Sequence, residues 1–199
     1  MKKALFYVIL LISFSGIAQD VTSQTAKEFQ DELNLHYADS TKSPLTDADL
    51  KVFKGLVFFP INEKYIVKAQ FVRTKKEKVF KMKTSTARLP EYKKYGELHF
   101  SIDGVAYQLN VYQSMDLKKK KEYKNHLFLP FSDLTNGKES YIGGRYIDME
   151  IQDTNVWEID FNKAYNPYCA YNHKYSCPIV PLENDLEVAI YAGVKKFHD

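Results

Sequence analysis

Cysteine is scarce in this sequence: Cys169 and Cys177 are the only two among 199 residues. A fold stapled by many disulfides is therefore excluded. Glycine is sparse as well, with 8 residues, and no internal repeat is visible. Neither sign of charge dominates. Removing Lys2 and Lys3 from the 28 Lys and Arg leaves 26 bases against 25 acids. That is no nucleic-acid footprint. After residue 19 no apolar run is long enough to span a bilayer, so no transmembrane segment follows. The catalytic patterns G-x-S-x-G and H-E-x-x-H are missing, as is the calcium-loop pattern. Nothing in the chain calls for a cofactor.

What is present begins with an address. Lys2 and Lys3 precede the apolar run Leu5 to Ile12, and Gly16-Ile17-Ala18 supplies small residues before a polar stretch. Residues 1–19 thus read as a secretory signal peptide cleaved after Ala18 or Gln19. Residues 20–199 read as one globular domain, exported to the periplasm or secreted. Aromatic side chains are abundant, with 15 Tyr and 13 Phe.

Local patterns predict a mainly β protein: an antiparallel β-sandwich or barrel preceded by one or two N-terminal helices. Thr25 to Tyr37 places Ala26, Phe29, Leu33 and His36/Tyr37 at helical spacing. Thr46 to Asp49 resembles a capping box opening a short second helix. From Tyr65 the period changes to two. Tyr65, Val67, Ala69 and Phe71 alternate with Ile66, Lys68 and Gln70, and Thr74 to Glu77 is predicted to turn this strand into a surface hairpin with Val79 to Lys83. Asp103-Gly104 suits a two-residue turn that pairs Ile102 with Val105, Phe100 with Tyr107 and Leu98 with Leu109. Leu127 to Phe131 contains Pro130 and is predicted to be an edge strand or to carry a bulge. Arg145 to Ile151, Val156 to Phe161 and Leu186 to Tyr191 complete the predicted strands.

Two loops stand out. Ser132 to Arg145 holds Asp133, Thr135, Asn136 and Gly137, residues suited to tight turns. Asn136-Gly137-Lys138 lacks the spacing of a phosphate loop. Arg145 heads an otherwise apolar strand. A partner such as Asp133 or Asp160 can hold it, and a ligand anion can replace that partner. The second loop runs from Asn162 to Asn184 and carries Pro167, Pro178 and Pro181. So long an irregular stretch is usually functional or stapled. Its Tyr165, Tyr168, Tyr171 and Tyr175 either line a pocket or cover the core. A disulfide between Cys169 and Cys177 is the plain expectation for an exported chain. Three alternatives stay open: a metal site with His173, which lacks a fourth ligand; a nucleophilic cysteine paired with His126 or His173; and two free thiols. Asp148 and Glu150 read as a solvated strand face. The Lys118 to Lys121 run reads as a solvated loop.

Phe128-Leu129-Pro130-Phe131-Ser132-Asp133-Leu134-Thr135-Asn136-Gly137, followed by Tyr141 and Gly143-Gly144-Arg145-Tyr146, closely resembles the bacterial and archaeal family known as domain of unknown function 1684. So do Asp160-Phe161-Asn162, Ala164-Tyr165-Asn166-Pro167, Cys169 and Cys177-Pro178. The resemblance is strong from Leu127 to Gly193 and weaker from Leu56. Where the family commonly reads Ala-Gly-Glu-Lys, this chain has Ala192-Gly193-Val194-Lys195. The family has no assigned activity. Members without an export signal also carry the paired cysteines, which keeps the thiol and metal readings open.

These readings converge on one expectation: a small polar or anionic ligand, bound where the 132–145 loop meets the 162–184 loop. The residues expected to bind it are Asp133, Tyr141, Arg145, Asn162, Tyr165, Asn166 and Tyr168. The alternatives are a hydrolase using Asp133, Asp160 or Cys169, and a structural envelope protein without a ligand.

Overall fold

The computed structural model describes residues 24–198, so the expected signal peptide lies outside the described residues. Helix α1 spans Ala26–Ala38. Its start is set by a capping box: the Thr25 hydroxyl accepts from the Glu28 amide, and the Glu28 carboxylate accepts from the Thr25 amide at 2.8 Å. Helix α2, Asp47–Val52, is capped by Thr46, whose hydroxyl accepts from the Asp49 amide. Both helices precede a mainly antiparallel sheet, as the sequence pattern predicts.

The strands are β1 Ile66–Arg73, β2 Val79–Lys81, β3 Glu91–Ile102, β4 Val105–Ser114, β5 His126–Phe131, β6 Arg145–Glu150 and β7 Val156–Asp160. Their order is β6-β5-β4-β3-β1-β7, with β2 attached to β3. Every pairing is antiparallel. The two outer strands, β6 and β7, line one shallow cleft without pairing, so the sheet curls into a half-barrel.

The β3–β4 hairpin has the expected register, with Ile102 opposite Val105 and Leu98 opposite Leu109. Asp103 and Gly104 both take positive φ, 52° and 79°, which the two-residue turn requires. Leu98, Phe100, Ile102 and Leu109 are buried, while Val105 at the turn is 54% exposed. Three expectations need correction. β1 does not form a hairpin with β2; both lie along β3, β1 beside Gly96 to His99 and β2 beside Glu91 to Lys93. β5 is an interior strand despite Pro130. β4 and β5 part near that proline, and the Asn184 side chain bridges the gap. It donates to the Asn110 and Pro130 carbonyls at 2.8 and 2.6 Å and accepts from the Asn110 amide at 2.9 Å. Lastly, Leu186 to Tyr191 is not a ladder strand. Leu186, Ile190 and Ala192 are buried on the concave core, but the Leu186 amide goes to Ser132, the Ile190 amide to the Asp133 carboxylate, and the Val188 carbonyl to the Leu134 amide.

The concave face buries Leu127, Leu129, Phe131, Trp157, Ile159 and Phe161, and the 186–192 segment closes it. Trp157 stacks on Phe71 with centroids 3.9 Å apart. A second apolar cluster joins the helices to the C-terminal segment through Tyr37, Leu45, Leu56, Tyr171 and Val194. A third lies on the outer sheet face: Met82, Tyr112, Phe128 and Tyr146. Gly193 lets the C-terminal segment pass close to the 161–164 turn. It sits at φ 75°, and an added Cβ would stand 2.6 Å from the Ala164 carbonyl oxygen. Gly193→Ala is expected to cost about 3 kcal/mol in urea unfolding, whereas Val105→Ala at the exposed turn is expected to stay within about 0.5 kcal/mol.

Candidate functional site

Arg145 is wholly buried, and so is the side chain of Asp133. The guanidinium donates to Asp133 Oδ2 at 2.6 Å, to the Ile190 carbonyl at 2.9 Å and to the Ala192 carbonyl. Its plane lies over the Phe131 ring at 5.2 Å. Asp133 also accepts from the Thr135 and Ile190 amides. Burial works against the guanidinium charge, and the Asp133 carboxylate works to restore it. The expected role for Arg145, meeting a ligand's charge, is therefore closed to it. Instead it ties the 132–145 loop to the C-terminal segment. Asn162 is equally spent: it exchanges hydrogen bonds with the Asn62 backbone and takes Asp160 Oδ1 as a partner. Asn166 is buried and donates to the Lys195 carbonyl.

The two loops do meet. Gly137, Tyr141 and Ile142 of the first face Cys169, Asn172 and His173 of the second across a cleft of about 610 Å³. Among the seven expected binding residues, Tyr141 lines this cleft, while Tyr165 and Tyr168 line another. The expected disulfide is not formed: Cys169 and Cys177 are both free and buried. The two residues lie against each other instead, with the Cys169 amide donating to Cys177 Sγ at 3.2 Å.

The second cleft, about 590 Å³, lies between α1, the outer face of β5 and β6, and the 165–178 segment. Its walls are aromatic. Tyr92, Phe128, Tyr146, Tyr165 and Phe29 follow one another in edge or tilted contacts with centroids 4.7 to 6.4 Å apart. Tyr168 lies parallel to His36 across its mouth, and its hydroxyl is 3.2 Å from His36 Nε2. Asp148 is the polar centre. Oδ1 is 2.9 Å from His126 Nε2, and Oδ2 accepts from the Tyr165 hydroxyl at 2.8 Å. Burial first, then the Asp148 charge, pushes the Tyr165 pKa far up, so its hydroxyl keeps its proton and donates. Half of the Asp148 side chain remains exposed. A carboxylate has about four lone-pair positions. Two are filled here, and the carboxylate retains capacity toward the cleft. His126 Nε2 faces Asp148, and Nδ1 is buried without a hydrogen-bond partner among the described residues.

The sequence reading set Asp148 on a solvated face and did not join it to His126. Alternation already places His126 and Phe128 of β5 on one face, and Tyr146 and Asp148 of β6 likewise. What joins them is the β5–β6 register, Phe128 opposite Asp148. The long intervening loop does not determine that register.

Residues 51–195 match the model of the family described as protein of unknown function (DUF1684). The chain belongs to this family. The chain is also similar to an uncharacterized protein of Haloarcula marismortui, solved by solution NMR, at 32% identity and a TM-score of 0.67 over 85% of this chain and 91% of that one. No curated protein matches. Family membership thus supports the half-barrel fold and brings no activity with it.

The buried ion pair makes a direct prediction. Asp133→Asn leaves the Arg145 charge buried without its counter-charge and is expected to cost about 3–5 kcal/mol in urea unfolding. Adding Arg145→Met to that variant is expected to recover part of the loss, since the unpaired charge is then gone.

Proposed function

We propose that this protein is exported and binds a small polar ligand in the aromatic cleft, with Asp148 as its anchor. One observation carries this reading: a half-exposed carboxylate, held by His126 and Tyr165, stands in a cleft walled largely by aromatic rings. Ligand sites typically combine apolar walls with a few fixed polar groups. Here the polar group is preorganised, so binding costs little ordering of the anchor. The ligand class follows from the chemistry. An acceptor among ring faces suits a molecule that offers hydroxyl or ammonium donors on an apolar or ring body. The cation that lines this cleft is Lys120, with its ammonium 5.9 Å from the Tyr123 ring centroid, whereas Arg145, expected to meet charge between the two loops, is enclosed with Asp133.

Export rests on the Lys2-Lys3 start, the apolar run to Ile12 and the small residues that follow. The hydrolase alternative has lost two of its three candidate groups. Asp133 is consumed by Arg145, and Asp160 caps the turn at Phe161–Lys163 by accepting from the Asn162 amide.

The test is a thermal-shift screen of polyols and amines on the mature protein, repeated on Asp148→Asn. This variant keeps the shape of the anchor and removes its charge. Losing a hydrogen bond to a charged acceptor costs about 1.5–3 kcal/mol, so hits are expected to bind about 10- to 100-fold more weakly. Equal affinity in Asp148→Asn, with loss in Tyr141→Ala, would move the ligand to the cleft between the loops and sink the reading.

A further inference from the structure

Cys169 and Cys177 stand side by side, unbonded, and the chain around them is fastened by other means. The Cys177 amide donates to Ser85 Oγ at 3.1 Å, and its carbonyl accepts from the Ser85 amide at 2.9 Å. Arg88 donates to the Ser176 carbonyl at 2.7 Å. On the other side, Cys169 is the middle residue of a 3₁₀ turn, Tyr168–Ala170, closed by the Tyr171 amide on the Tyr168 carbonyl. Both sulfurs are thus positioned without a covalent staple.

The surroundings of the two thiols differ. Cys169 lines the cleft where the two loops meet, and the Tyr141 hydroxyl lies 3.8 Å from its sulfur. Cys177 lies behind it, on the wall of the aromatic cleft, and receives the Cys169 amide. We propose that this pair is a thiol–disulfide exchange site, with Cys169 as the attacking sulfur, Cys177 as the resolving one, and the disulfide of a small thiol compound as the substrate entering between the loops. This reading stands apart from ligand binding at Asp148.

The electrostatics agree with that division of labour. The hydrogen bond from Cys177, then those from Tyr141 and Ser85, bring the Cys169 pKa down to about 6. The same contact with Cys169 pushes the Cys177 thiol up. The sulfur whose thiolate form is favoured is thus the one that lines the cleft beside Tyr141, and the thiolate is the nucleophile. Zinc would need further ligands, and among the described residues no group of three His, Cys, Asp or Glu stands together.

The chemistry balances. Cys169 thiolate attacks one sulfur of R–S–S–R, forms the mixed disulfide and expels one thiolate. Cys177, giving up its proton, attacks Cys169 Sγ and forms the internal disulfide, expelling the second thiolate. The protein's thiolate and thiol are oxidised to one disulfide, the small disulfide is reduced to one thiolate and one thiol, and the Cys177 proton ends on a leaving group.

The probe is bis(2-hydroxyethyl) disulfide, added to the reduced mature protein and followed by intact mass. Wild type is expected to lose two hydrogens and retain no adduct, and mild dithiothreitol without denaturant is expected to reopen it. Cys177→Ser is expected to trap one hydroxyethylthio group on Cys169, while Cys169→Ser reacts at least about tenfold more slowly. Tyr141→Phe, which keeps the ring, is expected to slow reaction at Cys169 and provides the test should a cysteine variant fail to fold. Equal rates at Cys177 and Cys169, a stable adduct on wild type, an internal disulfide that opens only in denaturant, or no reaction would each overturn the proposal.

Discussion

A single buried charge pair organises this molecule. Arg145 begins β6 and is wholly enclosed, so its charge must be met by groups that cannot move away. Asp133 meets it from the preceding loop, and the carbonyls of Ile190 and Ala192 meet it from the C-terminal segment. The 132–145 loop and a C-terminal segment 45 to 47 residues beyond Arg145 are thereby held together. The 186–192 stretch belongs to no strand of the sheet, and its backbone groups serve Ser132, Leu134, Asp133 and Arg145 instead.

Both clefts inherit their walls from this arrangement. The fixed 132–145 loop presents Tyr141 to Cys169. The same β6 strand that starts at Arg145 carries Tyr146 and Asp148, one and three positions on, into the aromatic cleft. Tyr165 links the two regions: its backbone bridges to Tyr146 while its hydroxyl holds Asp148. Irregular chain supplies the reactive groups, and the strands supply their rigid bearings. That is the usual division between scaffold and site.

Much of the scaffold was legible in the residues. Asp103-Gly104 announced the central hairpin and its register because only a tight turn with two positive φ angles fits that pair. Thr25 and Glu28 announced α1 through the reciprocal bonds of a cap. What stayed hidden was long-range. Pro130 looked like a mark of an edge strand, since a proline cannot donate to a ladder; Asn184, far along the chain, repairs that place with its side chain. Leu186, Ile190 and Ala192 alternate like a strand yet pack without one. Arg145 and Asp133 were read as possible partners, but only the packed core shows that no solvent reaches them. The two loops were expected to meet, and they do. Asp148 was passed over because its partners His126 and Tyr165 depend on a register and a bridge that local pattern does not encode.

The central claim is that the Arg145 guanidinium, rather than general apolar packing, holds the C-terminal segment in place. Hydrogen exchange on Arg145→Met, compared with wild type, tests it most directly. The amides of Phe59, Val194 and Lys195 bond across that segment, to Gly193, Ala164 and Val57. They are expected to lose far more protection than the amides of Leu98 and Leu109 in the central hairpin. A loss of the same factor at all five positions would contradict the account.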